Sequence, residues 1–215
     1  MRRILHLGLT QGNYFPKDLV THSPILELKP NYISAEIIDS LKEYDFVIVT
    51  SKATVNFFLK QHVINFKRSV QYISIGSETT KALQRQGLLT AYTSTNPSQE
   101  GLVDLLKTVD LNGKKFLLPR SNLARTYIDQ FFKENQVCYR VIEVYETQLK
   151  KDFQKKSLED FDALFFSSSS CVDFFFKFYC IIPNSLTIIA MGKPTLETLI
   201  KYNKEYLNRV ELVLN

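Results

Sequence analysis

The sequence predicts an α/β protein of two similar small lobes with mostly parallel sheets, joined by a two-strand linker that leaves an interdomain cleft. Three observations predict it. First, strand-like and helix-like stretches alternate for most of the 215 residues, the pattern of βαβ units. Second, Asp45–Lys60 aligns without gaps on Asp162–Lys177, with identities that include Asp45/Asp162, Ser51/Ser168, Val55/Val172 and Phe57/Phe174. The match continues where Ile73-Ser-Ile-Gly76-Ser-Glu-Thr79 pairs with Ile189-Ala-Met-Gly192-Lys-Pro-Thr195, and Leu83 with Leu199. A repeat of a whole supersecondary unit favours two lobes over one. Third, Pro24–Pro30 is a short extended segment closed by proline at each end, and Val141–Thr147 is a second. Proline suits strand ends and not a helix interior. If the two segments pair, residues 24–30 and 141–148 are the linker and residues 31–140 form one lobe. Residues 1–23 then join 149–215 in the other.

The elements follow in order. Ile4–Thr10 reads as a strand, Ala35–Lys42 has apolar residues at helical spacing, and Phe46–Thr50 is a short buried strand. A helix over Ala53–Gln61, a strand over Val70–Ile75 and a helix over Thr79–Gln86 come next, with Gly87 closing the last. After a strand at Leu88–Tyr92, Asn96-Pro97-Ser98 opens a helix through Lys107, with Ser98 as N-cap. Gly113 precedes a strand at Lys115–Leu118, and Leu123–Glu134 reads as the next helix. Val137–Thr147 alternates as a long strand. Beyond the charged stretch Lys150–Glu159 the pattern resumes as strand, helix, strand, helix, and ends near Asn203.

Composition excludes several classes. Lys and Arg number 27 against 22 Asp and Glu, a net +5 without basic blocks; that suits a small acidic molecule, and no nucleic-acid partner is expected. Cys138, Cys171 and Cys180 form no C-x-x-C, and His6, His22 and His62 no H-x-x-x-H or H-x-H, so neither a disulfide framework nor a metal site is expected. The apolar run after Arg2-Arg3 is too short for a signal peptide, and the Phe-rich run Leu164–Ile182 is broken by serines, Asp173 and Lys177. A cytoplasmic protein without a membrane partner is the expectation. G-x-x-x-x-G-K-[ST], G-x-G-x-x-G and G-x-S-x-G are all missing, so neither phosphate motif nor a serine-hydrolase elbow supports a function.

Chemistry is expected at the carboxyl ends of the parallel strands, where each next helix begins. Small hydroxyl residues recur there: Thr50-Ser51, Ser77-Glu78-Thr79, Ser167 to Ser170 and Lys193-Pro194-Thr195. A fifth such turn is Pro119-Arg120-Ser121-Asn122, with Arg125 one turn into its helix. Unpaired N–H groups and the helix dipole favour carboxylates or phosphates at such places. Ser, Thr and Asn are also ordinary N-caps, contributing about 1 kcal/mol each, so the set carries more weight than any member.

An ordered series of motifs carries a resemblance. Val49-Thr50-Ser51-x-x-x-Val55, Ile75-Gly76-x-x-Thr79, Ser98-x-Glu100-Gly101-Leu102 and Leu117-Leu118-Pro119-Arg120 are similar to uroporphyrinogen-III synthases. Val144-Tyr145-x-Thr147, Phe166-Ser167-Ser168-x-Ser170-x-Val172 and Met191-Gly192-x-x-Thr195 continue the series in that family's order. The resemblance implies two α/β lobes with a paired-strand linker. It implies a cofactor-free lyase that cyclises hydroxymethylbilane with loss of water and inversion of ring D, giving uroporphyrinogen III for heme biosynthesis. By motif position, Tyr145 is the candidate donor to the leaving hydroxyl, and Ser51, Thr79, Ser168 and Thr195 are candidate contacts to substrate carboxylates. Arg120, Arg125 and Lys193 are candidates on charge. A monomer is expected, in transient contact with the upstream hydroxymethylbilane synthase. The alternative is a two-lobed small-molecule-binding module without catalysis.

The chain also departs from that pattern. The usual Ser-Pro-x-Ala-Val turns read Ser51-Lys52-Ala53-Thr54-Val55 and Ser168-Ser169-Ser170-Cys171-Val172. About fifteen residues separate the first strand from Pro24, where the family has a helix and another strand. The stretch after Gly192 is short of a last helix, so a trimmed lobe is expected.

Overall fold

The computed structural model describes residues 2–213, which form two compact units. One takes in the chain up to Leu28 and again from Gln148; the other is Lys29–Thr147. The strands in chain order are β1 (Ile4–His6), β2 (Val20–His22), β3 (Leu26–Pro30), β4 (Phe46–Val49), β5 (Gln71–Ile75) and β6 (Thr90–Ser94). They continue as β7 (Lys115–Ser121), β8 (Cys138–Leu149), β9 (Ala163–Phe166), β10 (Thr187–Met191) and β11 (Val210–Val213). The helices are α1 (Ala35–Ser40), α2 (52–62), α3 (Gly76–Gln84), α4 (Gln99–Leu106), α5 (Tyr127–Glu134), α6 (Ser169–Phe178) and α7 (Gly192–Tyr202).

The discontinuous unit holds a five-stranded sheet in the order β11-β10-β9-β1-β2, with every pair parallel. Strand alternation divides its side chains between two faces. Leu5, Leu164, Phe166, Ile188 and Ala190 enter one core with Val172 and Phe175 of α6. Ile4, Ala163, Phe165, Ile189 and Met191 enter the other. Burial of each large side chain contributes about 1.5–3 kcal/mol, and β9 is buried along its whole length because it is central and covered on both faces.

The expected trimming of this unit is corrected in part. No long helix links β1 to β2; the loop is packed instead by Tyr14 and Phe15, whose rings meet Phe165 edge-on at 5.5 and 5.2 Å. A single 3-10 turn at Lys17–Leu19 then feeds β2, a strand the sequence pattern does not show. The pattern does not end near Asn203 either, since a 3-10 stretch at Lys204–Arg209 leads into β11. The unit thus keeps five strands and loses a crossover helix, replaced by aromatic loop packing.

The other unit carries the sheet β3-β8-β7-β4-β5-β6, parallel from β8 through β6. Hydrogen bonds from Asn31 N to Val144 O and from Lys150 N to Ile25 O, both 3.0 Å, set β3 antiparallel to β8. Its core gathers Phe46, Ile48, Phe116 and Leu118 from the sheet with Leu102, Leu106, Ile128 and Phe132 from the helices.

In each sheet the connections diverge at one place. Chain leaving β4 proceeds to β5 and β6, whereas chain leaving β7 proceeds to β8 on the other side. Likewise β9 leads to β10 and β11, and β1 to β2. Such switch points, β4/β7 and β9/β1, open a crevice at the carboxyl ends of the strands. The repeated aspartates fix their amino ends. Asp45 Oδ2 accepts the Lys115 N–H at 2.8 Å, and Asp162 Oδ2 accepts the Arg3 N–H at 2.6 Å.

Both carboxyls sit below the ordinary aspartate range, Asp45 chiefly through Lys67 and then the Lys115 N–H, Asp162 chiefly through the Arg3 N–H. A carboxyl lowered in the folded state stabilises it above the unfolded value near pH 4, and that contribution is lost as pH falls through the native value. Asp45→Asn with Asp162→Asn is therefore expected to lower stability at neutral pH and flatten its decline in acid. Denaturant titrations between neutral and acid pH check this; an unchanged acid decline would assign it to other carboxylates.

Candidate active site

The β4/β7 switch point of the continuous unit places Ser51 at the start of α2, where its Oγ accepts the Thr54 N–H at 3.1 Å as an N-cap. The same oxygen lies 3.0 Å from the Tyr145 hydroxyl and 3.1 Å from Thr54 Oγ1. Thr54 Oγ1 in turn donates to the Pro119 carbonyl at 3.3 Å. Because a carbonyl only accepts, the proton count orders the chain as Tyr145 to Ser51 to Thr54 to Pro119. A ligand oxygen that accepts from Tyr145 needs one further change, rotation of the Ser51 hydroxyl toward the phenol.

Tyr145 is 7% exposed and its ring lies 5.6 Å from that of Phe57. Burial pushes its phenol above the ordinary tyrosine value, while the Ser51 and Thr54 hydroxyls act in the opposite sense to a smaller degree. It is therefore un-ionised at neutral pH and able to donate. Asn122 N donates to the Tyr145 carbonyl at 3.3 Å, and Asn122 Oδ1 accepts the Thr147 N–H at 2.9 Å. These bonds lock the turn after β7 onto the strand that carries the phenol.

That turn corrects two expectations. β7 runs on through Ser121 and α5 begins at Tyr127, so Arg120 is a strand residue and Arg125 precedes the helix. Arg120 is paired with Asp129, both side chains being largely buried. Arg125 forms a two-pronged ion pair with Glu100 at 2.7 and 3.1 Å. Gln99 ties the same turn down, accepting from Tyr127 N and donating to Arg125 O. Sequence spacing did not indicate Asp129 or Glu100 as partners.

Thr79 lies in the first turn of α3, buried, because that helix starts at Gly76 and not at Thr79. Gly76 has φ +69°, and a Cβ there would press on Pro97. Its neighbour Thr80 carries the hydrogen bonds, to Ser74 Oγ at 2.6 Å, Thr93 Oγ1 at 3.1 Å and Gly76 O at 3.1 Å.

In the discontinuous unit Ser168 caps α6, accepting the Cys171 N–H at 3.3 Å. Thr195 is buried in the first turn of α7, beside the exposed Lys193, and α7 begins at Gly192 with φ +73°. Ser169 joins the two helix starts by donating to Pro194 O at 2.9 Å. The β9/β1 switch point adds a cluster absent from the sequence reading. His6 Nε2 is 3.2 Å from Ser167 Oγ, and His22 Nε2 donates to Gly8 O at 2.7 Å. Gly8 is required because a Cβ would overlap both Ser167 Oγ and His6 Nε2. His6 is fully buried and its Nδ1 has no hydrogen-bond partner. Burial, and then the neighbouring His22, lowers its pKa to about 4, with the Gln11 backbone acting the other way. It is neutral and serves as a hydrogen-bonding group, not a charge. No signal short of the strand order joins positions 6 and 167.

Among the described residues no group of three His, Cys, Asp or Glu side chains is placed to hold a metal ion. None of the described helices is long and apolar enough to cross a membrane. The broader hollows of the continuous unit, lined by Asp45, Gln71, Val109 and Lys114 among others, sit at the amino ends of its strands, away from Tyr145.

The family model described as uroporphyrinogen-III synthase HemD matches residues 19–207. The chain belongs to the uroporphyrinogen-III synthase family. It is 26% identical over 183 residues to the "Porphyrin biosynthesis protein HemD" of Ruminiclostridium josui, a match that covers 79% of this chain and 36% of that protein. The curated relatives it matches are longer: the aligned stretches span 36% and 53% of their lengths. In fold, it is similar to the uroporphyrinogen-III synthetase of Helicobacter pylori 26695, with TM-score 0.67, 19% identity and coverage of 94% of this chain and 89% of that one. A mutant uroporphyrinogen III synthase from the extremely thermophilic bacterium Thermus thermophilus gives TM-score 0.66 at 15% identity, with the same coverages. In this chain, each unit places hydroxyl residues at its helix starts, and one of the units holds the buried Tyr145.

Proposed function

We propose that this chain cyclises hydroxymethylbilane to uroporphyrinogen III, with loss of water and inversion of ring D. Family membership supports the reaction class, and the buried Tyr145 phenol bonded to Ser51 at the β4/β7 switch point is the observation that carries the chemistry. The pyrrole of ring A expels hydroxide by pushing electron density into the carbon that loses it. Tyr145 donates a hydrogen bond to that departing oxygen, a role that requires an un-ionised phenol. The cationic carbon is attacked by the substituted carbon of ring D to form a spiro intermediate, which breaks and recloses with the ring inverted. A proton lost from the closing carbon joins the hydroxide as water, so the step balances without an added reactant. Positioning of the flexible chain provides much of the rate.

The substrate carries eight carboxylates, and hydroxyl and N–H donors at helix starts suit them. Ser51 and Thr79 in one unit, and Ser168 and Thr195 in the other, are proposed to serve this purpose. Lys193 has no ion-pair partner among the described residues, which supports it above Arg120 and Arg125, whose charges are already met. We further propose a cytoplasmic monomer that receives its labile substrate by transient contact with the enzyme that makes it. The experiment is to supply purified protein with enzymatically generated hydroxymethylbilane and to separate the isomers formed. Type III product is expected; type I alone, at the uncatalysed rate, would refute the reading.

A further inference from the structure

The two copies of the internal repeat fold differently at one place. Ser51 and Ser168 cap their helices in the same way, each accepting the N–H three residues on. Val55 and Val172 are both fully buried, and Asn56 and Asp173 are both exposed. Beyond this the copies part. α6 continues as a regular α-helix, with Phe174 and Phe175 buried and Phe176 half-buried. In α2 the turn Val55–Leu59 is π-helical, the Lys60 N–H reaching the Val55 carbonyl. Here Phe57 is half-buried, and Phe58 and Leu59 are the buried pair.

The buried pair has moved on by one position, the mark of a one-residue insertion accommodated by a π turn. The residue expelled is Phe57. Its counterpart Phe174 is packed in the core, whereas Phe57 faces the Tyr145 ring. The comparison is internal to the chain, so it separates the effect of the π turn from that of the residue type: both positions are Phe. A π turn weakens helix hydrogen bonding, and its placement one turn after Ser51 has a result in the site.

We propose that the π turn is a positioning device that takes Phe57 from the core and sets it as the wall against which the Tyr145 phenol is held toward Ser51. Phe57 is a positioning residue, acting through Tyr145. This rests on the reading of Tyr145 as the hydrogen-bond donor of the reaction. An apolar wall shields the phenol from water and restricts its ring, so that its hydroxyl stays in register with Ser51.

Deletion of Phe57 tests the device. Removal of that one residue leaves Val55 and Asn56 followed directly by Phe58 and Leu59, the burial order of α6. A regular helix and cooperative unfolding within a few degrees of the parent are expected. Deletion of Phe174 from α6 instead turns every later residue by ~100° and is expected to abolish the fold. In the Phe57 deletion, and in Phe57→Leu, which keeps the helix length, the Tyr145 titration is expected to move down toward the ordinary tyrosine value. Phenolate absorbance reads it, as the difference from Tyr145→Phe in each background. Turnover is expected to fall about tenfold, and Phe57→Tyr to restore both properties. The proposal is overturned if deletion of Phe57 disrupts folding as thoroughly as that of Phe174. It is equally overturned if the Tyr145 titration in Phe57→Leu matches the parent. Should the parent form no type III isomer, the proposed reaction fails, and the titration still decides the positioning role.

Discussion

Tyr145→Phe is expected to lower the rate of type III isomer formation tenfold or more with little change in stability. The ring keeps its contact with Phe57 and its place on β8, so the apolar burial is conserved. What leaves is one hydroxyl, and with it the donor that meets the departing oxygen. Lost acid catalysis costs typically ~10²-fold or more, of which part returns through water. Ser51 loses one partner but retains Thr54 on both its N–H and its hydroxyl, which limits the structural cost to about 1 kcal/mol. Because burial holds the phenol above its usual value, the parent's activity is expected to persist on the alkaline side beyond the pH at which an ordinary tyrosine ionises. Isomer-resolved rates together with an unfolding curve check both parts. Turnover equal to the parent's would remove Tyr145 from the chemistry.

Asp129→Ala is expected to destabilise the protein by about 3–5 kcal/mol, because it leaves the Arg120 guanidinium buried without its counter-charge. Side-chain exposures of 15% and 11% in this pair contrast with 46% on each side for Arg125 and Glu100. Glu100→Ala is accordingly expected to cost about 1 kcal/mol or less. Removing both members of the buried pair, as Arg120→Leu with Asp129→Leu, is expected to restore most of the loss, since no isolated charge then remains. Urea titrations of the three variants decide it. Equal losses for Asp129→Ala and Glu100→Ala would show that burial does not set the value of these pairs. The consequence for function is that Arg120 braces the β7 end beside the hydroxyl chain and has no free charge for a substrate carboxylate.

Much of the fold was legible in the residues. Asp45 and Asp162, identical in the repeat, turn out to perform one task, fixing the start of the neighbouring strand. Ser98 caps α4 as its neighbours suggested, with its Oγ accepting the Gly101 N–H at 3.0 Å. Starts of helices were less accurate where glycine carries them. Gly76 and Gly192 adopt positive φ and begin α3 and α7 directly, whereas the sequence pattern put the start of α3 at Thr79. Short strands were the hardest. β2 and β11 have only three and four residues, too few to show an alternating pattern, and they exist because β1 and β10 offer them a parallel edge.

The chain by itself commits to alternating strands and helices, to a repeated unit, and to hydroxyl-rich helix starts, because each is local in sequence and follows from periodicity and capping. Family membership followed from the same local motifs. Tertiary structure alone decides which of those hydroxyls meet. Ser51 and Tyr145 are brought together by strand order, as are His6 and Ser167, and no local pattern encodes a parallel crossover. It also decides that Phe57 and Phe174, alike in sequence, take opposite roles. One extra residue in a helix turn changes which side chain faces the core, and only the packed structure shows where that residue was absorbed.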